Sequence, residues 1–414
     1  MVPDGWVEGR VADLLDGLES GVSVNGEDRE LEANDKAVLK VSAVSYGNFD
    51  PLAAKAIEGE ELSRAKTNPK SGQIIISRSN TEELVGASAF IDRDYPNLFL
   101  PDKLWQTMPK PNADMKWLSY VLASEHSRYT LSNLATGTSG SMKNITKGEL
   151  LSLKIYIPPS SEQKKIAQIL STWDNAITTT EQLLANSQQQ KKALMQQLLT
   201  GKKRLLDKNG VRFSGEWEVS KLSKLFERVT TKNNGQSTNV VTISGQHGLI
   251  RQEDFFKKTV ASETLDGYFL LKQGQFAYNK SYSNGYPMGA IKRLNRYPDG
   301  VVTTLYICFE LSDSARADSD FWEHYFESGL LNQGLSQIAH EGGRAHGLLN
   351  VKPSDFFSLK VPSPSFDEQQ KIAAVLSSAD QEISALKQKM NALKQEKKAL
   401  MQQLLTGKRR VPLN

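Results

Sequence analysis

The stretch 191–204 reads KKALMQQLLTGKKR, and the stretch 397–410 reads KKALMQQLLTGKRR. The twelve residues from Lys191 to Lys202 recur unchanged from Lys397 to Lys408, an offset of 397 − 191 = 206 in a chain of 414. Internal repeats decide architecture, and this one runs well beyond the identical stretch. At the same offset Glu162-Gln163 meets Glu368-Gln369, and Lys165-Ile166-Ala167 meets Lys371-Ile372-Ala373. Leu170-Ser171 meets Leu376-Ser377, Asp174 meets Asp380 and Ile177 meets Ile383, without a gap from Glu162 to Lys202.

Further back the halves diverge, but landmarks survive. Ser152-Leu153-Lys154-Ile155 matches Ser358-Leu359-Lys360-Val361, and Asn144-Ile145 matches Asn350-Val351. Trp117-x-x-Tyr120-Val121 finds a counterpart in Trp322-x-x-Tyr325-Phe326, and Gly72-Gln73-Ile74 in Gly274-Gln275-Phe276. Each half opens with a tryptophan and an aliphatic pair: Trp6, Val11, Leu14 and Trp217, Leu222, Leu225. The chain therefore reads as two similar globular domains, 1–158 and 207–363, each followed by a helical segment, 159–206 and 364–414.

Both helical segments, 162–200 and 368–406, carry start and stop signals. Proline precedes each, at Pro158-Pro159 and Pro364. Ser160 or Ser161, and Ser365 or Asp367, can cap, with Gln163 and Glu368 placed to reach back. Gly201 and Gly407 end them, and the basic runs Lys202-Lys203-Arg204 and Lys408-Arg409-Arg410 suit a negative helix C-terminus. Alternating 4,3 spacing puts Ile166, Leu170, Trp173, Ile177, Thr180, Leu184, Ser187, Lys191, Leu194 and Leu198 on one seam. The second seam holds Ile372, Leu376, Ala379, Ile383, Leu386, Met390, Leu393, Lys397, Leu400 and Leu404. A 3.5-residue period sustained this long predicts a coiled coil, of roughly 60 Å per helix. The second helix must run back along the first, so the pair is expected to be antiparallel with pseudo-two-fold symmetry.

Composition narrows the rest. One cysteine, Cys308, in the apolar run VVTTLYICFEL excludes a disulfide framework and reads as a buried strand thiol. No signal-like or membrane-length apolar run is present, so a cytoplasmic protein is expected. A net charge of +4 excludes a uniformly basic surface; polyanion binding must come from local clusters.

Such clusters lie where the halves diverge. After its Gly-opened strand the first domain has SRSNTEE, with Ser77, Arg78, Ser79 and Asn80, and the second has NKSYSNGY, with Asn279, Lys280, Ser281, Tyr282 and Asn284. After each tryptophan helix comes a Gly-rich loop, ATGTSGSMKN (135–144) with Lys143 and AHEGGRAHGLLN (339–350) with Arg344 and His346. Arg, Lys, Asn and Ser on loops are groups that read base edges and phosphates. Two readers on a fixed spacer suit double-stranded DNA, which offers half-sites at whole-turn spacings of about 34–36 Å. Divergent readers predict an asymmetric, split target with an unspecific gap.

Catalytic signals are missing. There is no G-x-x-x-x-G-K-[ST] loop and no Asn-Pro-Pro-aromatic or Asp-Pro-Pro-aromatic motif. His340 and His346, even taken with Glu341, offer no complete metal-ligand set, and no nucleophilic triad can be read from spacing. No catalytic, cofactor or metal residue is assigned.

The stretches IPPSSEQKKIAQIL (157–170) and PSPSFDEQQKIAAVL (362–376), with the duplicated KKALMQQLLTGK, closely resemble the specificity (S) subunit of type I restriction-modification enzymes. The Pro-x-x-x-Glu-Gln-x-x-Ile-Ala pattern from Pro158 to Ala167 and from Pro364 to Ala373 carries the resemblance, which covers nearly the whole chain. It implies an α/β fold: two mixed α/β target-recognition domains separated by long antiparallel coiled-coil helices. It implies no cofactor in this chain. It further implies two modification subunits using S-adenosylmethionine to methylate adenine, and two restriction subunits forming an ATP- and Mg2+-dependent translocating nuclease. A self-contained methyltransferase or nuclease of unfamiliar motif, and a spacer protein without base specificity, are the competing readings.

Overall fold

The structure, a computed structural model, describes residues 2–139, 142–255, 264–282, 285–341 and 349–412. It divides into two units, Met1–Thr180 with Lys389–Asn414, and Glu181–Gln388. Each unit thus holds one globular domain and one end of each long helix.

In the first unit the run Ile74-Ile75-Ile76 lacks polar alternation because both faces of its strand are covered. Strand Ile74–Ser77 lies inside an antiparallel sheet ordered Leu15–Ser20, Leu104–Pro109, Ile74–Ser77, Ser88–Phe90. Successive strand residues face opposite sides. Ile74 and Ile76 therefore join Trp105, Trp117 and Leu118 in one core, while Ile75 joins Leu39, Ala89 and Leu104 in another. The helices Met115–Ala123 and Glu125–Leu134 follow.

The second unit builds the same sheet from different residues: Phe226–Val229, Ile307–Leu311, Phe276–Asn279, Ala290–Arg293, again antiparallel. Phe276 and Tyr278 pack with Phe309 and Trp322, and Ala277 turns the other way to Cys308 and Leu249. Phe276 stacks on Phe309 at 5.4 Å between centroids, and Phe226 meets Phe309 edge-on at 5.3 Å. Aromatic rings fill here what isoleucines fill in the first unit. Cys308 is a fully buried strand residue, and burial pushes its thiol up to about 12.

In each unit the domain's first strand is zipped to the strand that leads into a long helix. Val7–Arg10 pairs with Lys154–Ile157, and Glu218–Lys221 with Lys360–Ser363, both antiparallel. The helices Ser160–Leu198 and Phe366–Leu404 follow directly, 39 residues each. Every seam position expected from the 4,3 spacing is buried or half-buried, whereas Gln188, Gln189, Gln190, Gln196, Gln197, Gln402 and Gln403 are exposed. Gly201 and Gly407 end the helices in left-handed conformation, at φ +69° and +68°. Lys203 N–H then reaches Gln197 O at 3.0 Å, and Arg409 N–H reaches Gln403 O at 3.1 Å, closing the last turns.

The seam lysines have acidic partners. In the first unit Lys397 Nζ donates to Asp174 Oδ1, and in the second Lys191 Nζ donates to Asp380 Oδ1 at 2.5 Å. Each acid is the 206-offset equivalent of the other, so one sequence yields both bridges. Ser187 adds a bond to Glu382 at 3.0 Å.

A second pair of bridges locks the helix ends. Glu162, 1% exposed, accepts from Arg410 Nε and Nη2 at 2.8 Å each and from Trp6 Nε1 at 3.0 Å. Glu368, also 1% exposed, accepts from Arg204 Nε at 2.6 Å, Arg204 Nη2 at 2.7 Å and Trp217 Nε1 at 3.1 Å. Within the first unit, moving from Glu162 to Asp174 moves the partner from Arg410 back to Lys397. Within the second, moving from Asp380 to Glu368 moves it from Lys191 on to Arg204. The helix segments in each unit are therefore antiparallel. A Cβ on Gly407 would lie 2.3 Å from Pro3 Cγ and 3.5 Å from Trp6 Cε2, so glycine serves the close approach as well as the positive φ.

Burial opposes charge on Glu162, but Arg410 and Trp6 outweigh it and hold its carboxyl below the usual range. A lowered carboxylate pKa contributes stability above the unfolded value and loses it as pH falls through the folded one. Removing Arg410 leaves the buried Glu162 carboxylate without its cation. Arg410→Ala is therefore expected to lower the melting temperature in thermal melts at pH 7. Adding Glu162→Gln should recover part of the loss, and the effect of Arg410→Ala alone should shrink below pH 4.

Candidate nucleic-acid interface

In the first unit two stretches far apart in sequence meet. Ser79–Asn80 pairs with Met142–Asn144, which pairs with Thr136–Ser139, so Lys143 lies directly opposite Asn80. Gly86 N–H bonds Ser77 O at 2.8 Å, closing the loop that leaves the central sheet. Ser77 and Ser79 are buried; Ser77 Oγ accepts from Asn80 Nδ2 at 3.2 Å. Arg78 is half-buried, its Nε donating to Asp102 O at 2.9 Å. Lys143 is half-buried and its Nζ reaches Gly137 O at 3.3 Å.

The second unit repeats the arrangement. Leu349 N–H bonds Lys280 O at 2.9 Å, bringing the segment after the second Gly-rich loop to the loop that leaves strand Phe276–Asn279. Asn279 Oδ1 accepts from Ser281 N–H at 3.2 Å. Lys280 is half-buried, with its Nζ 3.4 Å from Val351 O; burial, then nearby Arg228, lowers its pKa. Tyr282 projects, 65% exposed. Asn284, Arg344 and His346 lie outside the described residues. Among the described residues no three His, Cys, Asp or Glu side chains form a metal cluster, and no helix is long and apolar enough to cross a membrane.

Each domain is held to its helix by the glutamine of the Glu-Gln pair: Gln163 reaches back as its position predicts, and it also bonds the domain. Gln163 Nε2 donates to Pro158 O at 2.9 Å and its Oε1 accepts from Asp114 N–H at 3.2 Å. Gln369 does the same with Pro364 O at 2.9 Å and Asp318 N–H at 2.9 Å. The residue reaching back at the second helix start is thus Gln369 and not Glu368, whose carboxylate is taken by Arg204.

Asp114 and Asp318 cap the tryptophan helices, accepting from Trp117 N–H at 2.7 Å and Phe321 N–H at 2.8 Å. This sets the true correspondence: Trp117 matches Phe321, one residue from the Trp322 suggested by composition. Tyr120 then matches His324. Tyr120 OH donates to Asp174 Oδ2 at 2.5 Å and lies 3.1 Å from Ser171 Oγ. His324 Nε2 lies 3.1 Å from Ser377 Oγ, with Nδ1 3.8 Å from Asp380.

Residues 3–186 match the family model described as type I restriction modification DNA specificity domain. That stretch is similar to the family's domain, and the second half of the chain repeats its sheet, loop and helix. The resemblance drawn from the duplicated helices holds for the whole chain. The MjaX type I restriction enzyme specificity subunit of Methanocaldococcus jannaschii is 23% identical over 430 residues, 99% of this chain and 95% of that one. Among solved structures, the S subunit of a type I system from M. genitalium aligns with TM-score 0.59 at 15% identity, over 98% of this chain and 99% of that one. The HsdS subunit from Thermoanaerobacter tengcongensis aligns with TM-score 0.50 at 18% identity, over 98% of each. At such identities these two structures show a shared fold.

The Tyr120/His324 difference puts a buried imidazole in the second unit where the first has a buried phenol. Burial, then the charge of Lys191, lowers the His324 pKa, against the pull of Asp380 and Asp320. A lowered histidine pKa means the unfolded chain takes up the proton first, so stability is lost as pH drops below about 6.5. His324→Tyr, copying Tyr120, is expected to flatten this part of the stability profile between pH 7 and 5, measured as wild type minus variant in thermal melts.

Proposed function

We propose that this chain is the DNA-specificity subunit of a type I restriction-modification complex, in which each globular domain reads one half of a split, asymmetric target. The observation that carries this is the repetition of one loop arrangement beside one sheet, with different side chains, on helix ends of the same sequence. Equal mounting with unequal readers fits two different half-sites. In the first domain Asn80, Lys143 and Arg78 are the polar groups around the loop, and in the second Lys280 and Tyr282. The long helices set the unspecific gap and, through their exposed glutamines, offer equivalent surfaces to two modification subunits. Methylation of adenine and cleavage are the work of partner subunits, using S-adenosylmethionine, ATP and Mg2+. This chain supplies the address.

Two outcomes follow. Tyr282→Ala should weaken selection at the second half-site and leave the first intact, whereas loss at unrelated sequences alike would mark Tyr282 as a backbone contact. Inserting one heptad into each long helix, between Thr180 and Lys191 and between Asp380 and Lys397, keeps both lysine–aspartate bridges. It adds about 10.5 Å of helix, or roughly 3 base pairs at 3.4 Å each. The accepted gap should widen accordingly when motifs are read by methylated-base sequencing; an unchanged gap would remove the helices as the spacer.

A further inference from the structure

Each domain carries a second projecting element beside its loop. In the first, Val44–Ser45 pairs with Asn48–Phe49 around the two-residue turn Tyr46-Gly47. Such a turn requires positive φ at both positions, and they have +40° and +87°. Glycine suits this; a tyrosine there is a genuine outlier. Nor does burial offset the strain, since Tyr46 is 55% exposed. Its ring is backed by the Arg128 guanidinium at 4.1 Å from the centroid, and Arg128 also donates to Glu83 O, in the loop that carries Asn80. Gly47 N–H bonds Ser88 O at 2.9 Å, on the edge strand that follows that loop. Tip, helix and loop therefore form one fixed surface.

In the second, Val241–Ser244 pairs with Gly248–Arg251 around the tip Gly245-Gln246-His247. This tip also lies against the edge strand after the loop. Gly245 O lies 3.1 Å from Tyr286 OH and accepts from Lys292 Nζ at 3.3 Å. Lys292, 9% exposed, donates to Tyr286 OH at 2.8 Å and pairs with Glu327, which accepts from Tyr286 OH at 2.6 Å. A Cβ on Gly245 would lie 2.8 Å from Tyr286 Cε2, so the tip and the loop anchor are in close contact. Gln246 and His247 themselves are exposed.

We propose that the two hairpin tips are further reading elements for double-stranded DNA, each working beside its domain's loop. Tyr46, stiffened from behind by Arg128, presents an aromatic face for stacking against a base or sugar. Gln246 and His247 present amide and imidazole groups to base edges, where glutamine pairs with adenine. This rests on the specificity-subunit reading and adds residues that neither loop contains.

The test uses the complex of the full chain with its modification subunits, selecting duplexes from a randomised library. Tyr46→Gly relieves the positive φ, so it should melt no lower than wild type. It should nevertheless bind the wild-type-selected duplex about tenfold or more weaker, with the loss confined to the first half-site. Tyr46→Phe should bind like wild type. Gln246→Ala should relax one base position of the second half-site by about tenfold. If the wild type selects a motif and these variants select it with the same affinity, the tips are not readers. A wild-type complex that selects no motif would instead overturn the functional reading beneath the proposal.

Discussion

The structure depends on two carboxylates held almost out of reach of water. Glu162 and Glu368 each begin a long helix, and each is bound by an arginine lying beyond the end of the other helix, Arg410 and Arg204. Bidentate charge-assisted bonds are strong and directional, and an unpaired buried carboxylate is costly. Each glutamate therefore fixes which helix ends meet and in which direction. The tryptophan that opens each domain donates to the same carboxylate. One side chain thereby joins the start of a domain, the start of one helix and the end of the other. Trp6 and Arg410 lie far apart in sequence, so this carboxylate closes the first unit by long-range contacts.

The neighbouring glutamine carries the fixation to the reader. Gln163 and Gln369 tie the helix start to the caps of the tryptophan helices, Asp114 and Asp318. Those helices pack beneath the sheets whose central strands, Ile74–Ser77 and Phe276–Asn279, end in the variable loops. A short chain of bonds thus runs from an identical helix signal to a divergent loop. Cores filled by isoleucine in one domain and by phenylalanine in the other show how far the interior changed around that unchanged mounting.

Much of this was legible in the sequence because it was periodic or repeated. The 4,3 spacing gave the seams, Gly201 and Gly407 gave the helix ends, and the 206 offset gave the duplication. What stayed hidden needed long-range geometry. Glu162 and Arg410 stand 248 positions apart, so no local pattern links them. Local capping rules point to Glu368 for the reach-back, whereas the half-buried Arg204, 164 positions away, claims that carboxylate. Trp117 and Trp322 drew the eye as matching residues, but the caps at Asp114 and Asp318 place Phe321 opposite Trp117. Around the loops, Ser77 ends the central strand and Ser79 opens the short strand paired with Met142–Asn144, and the burial of both is not written in the local sequence. Tyr46 was invisible as a candidate because its distinction is a backbone angle.

Two different readers on one mounting is the central proposal, and the methylation of cellular DNA tests it most directly. Methylated-base sequencing should be compared between cells with this chain and cells from which it alone is removed. A single two-part motif, with two unlike specified segments separated by a fixed unspecified gap and lost with the chain, is the predicted result. A continuous motif, or a methylation pattern that survives removal of the chain, would contradict the account.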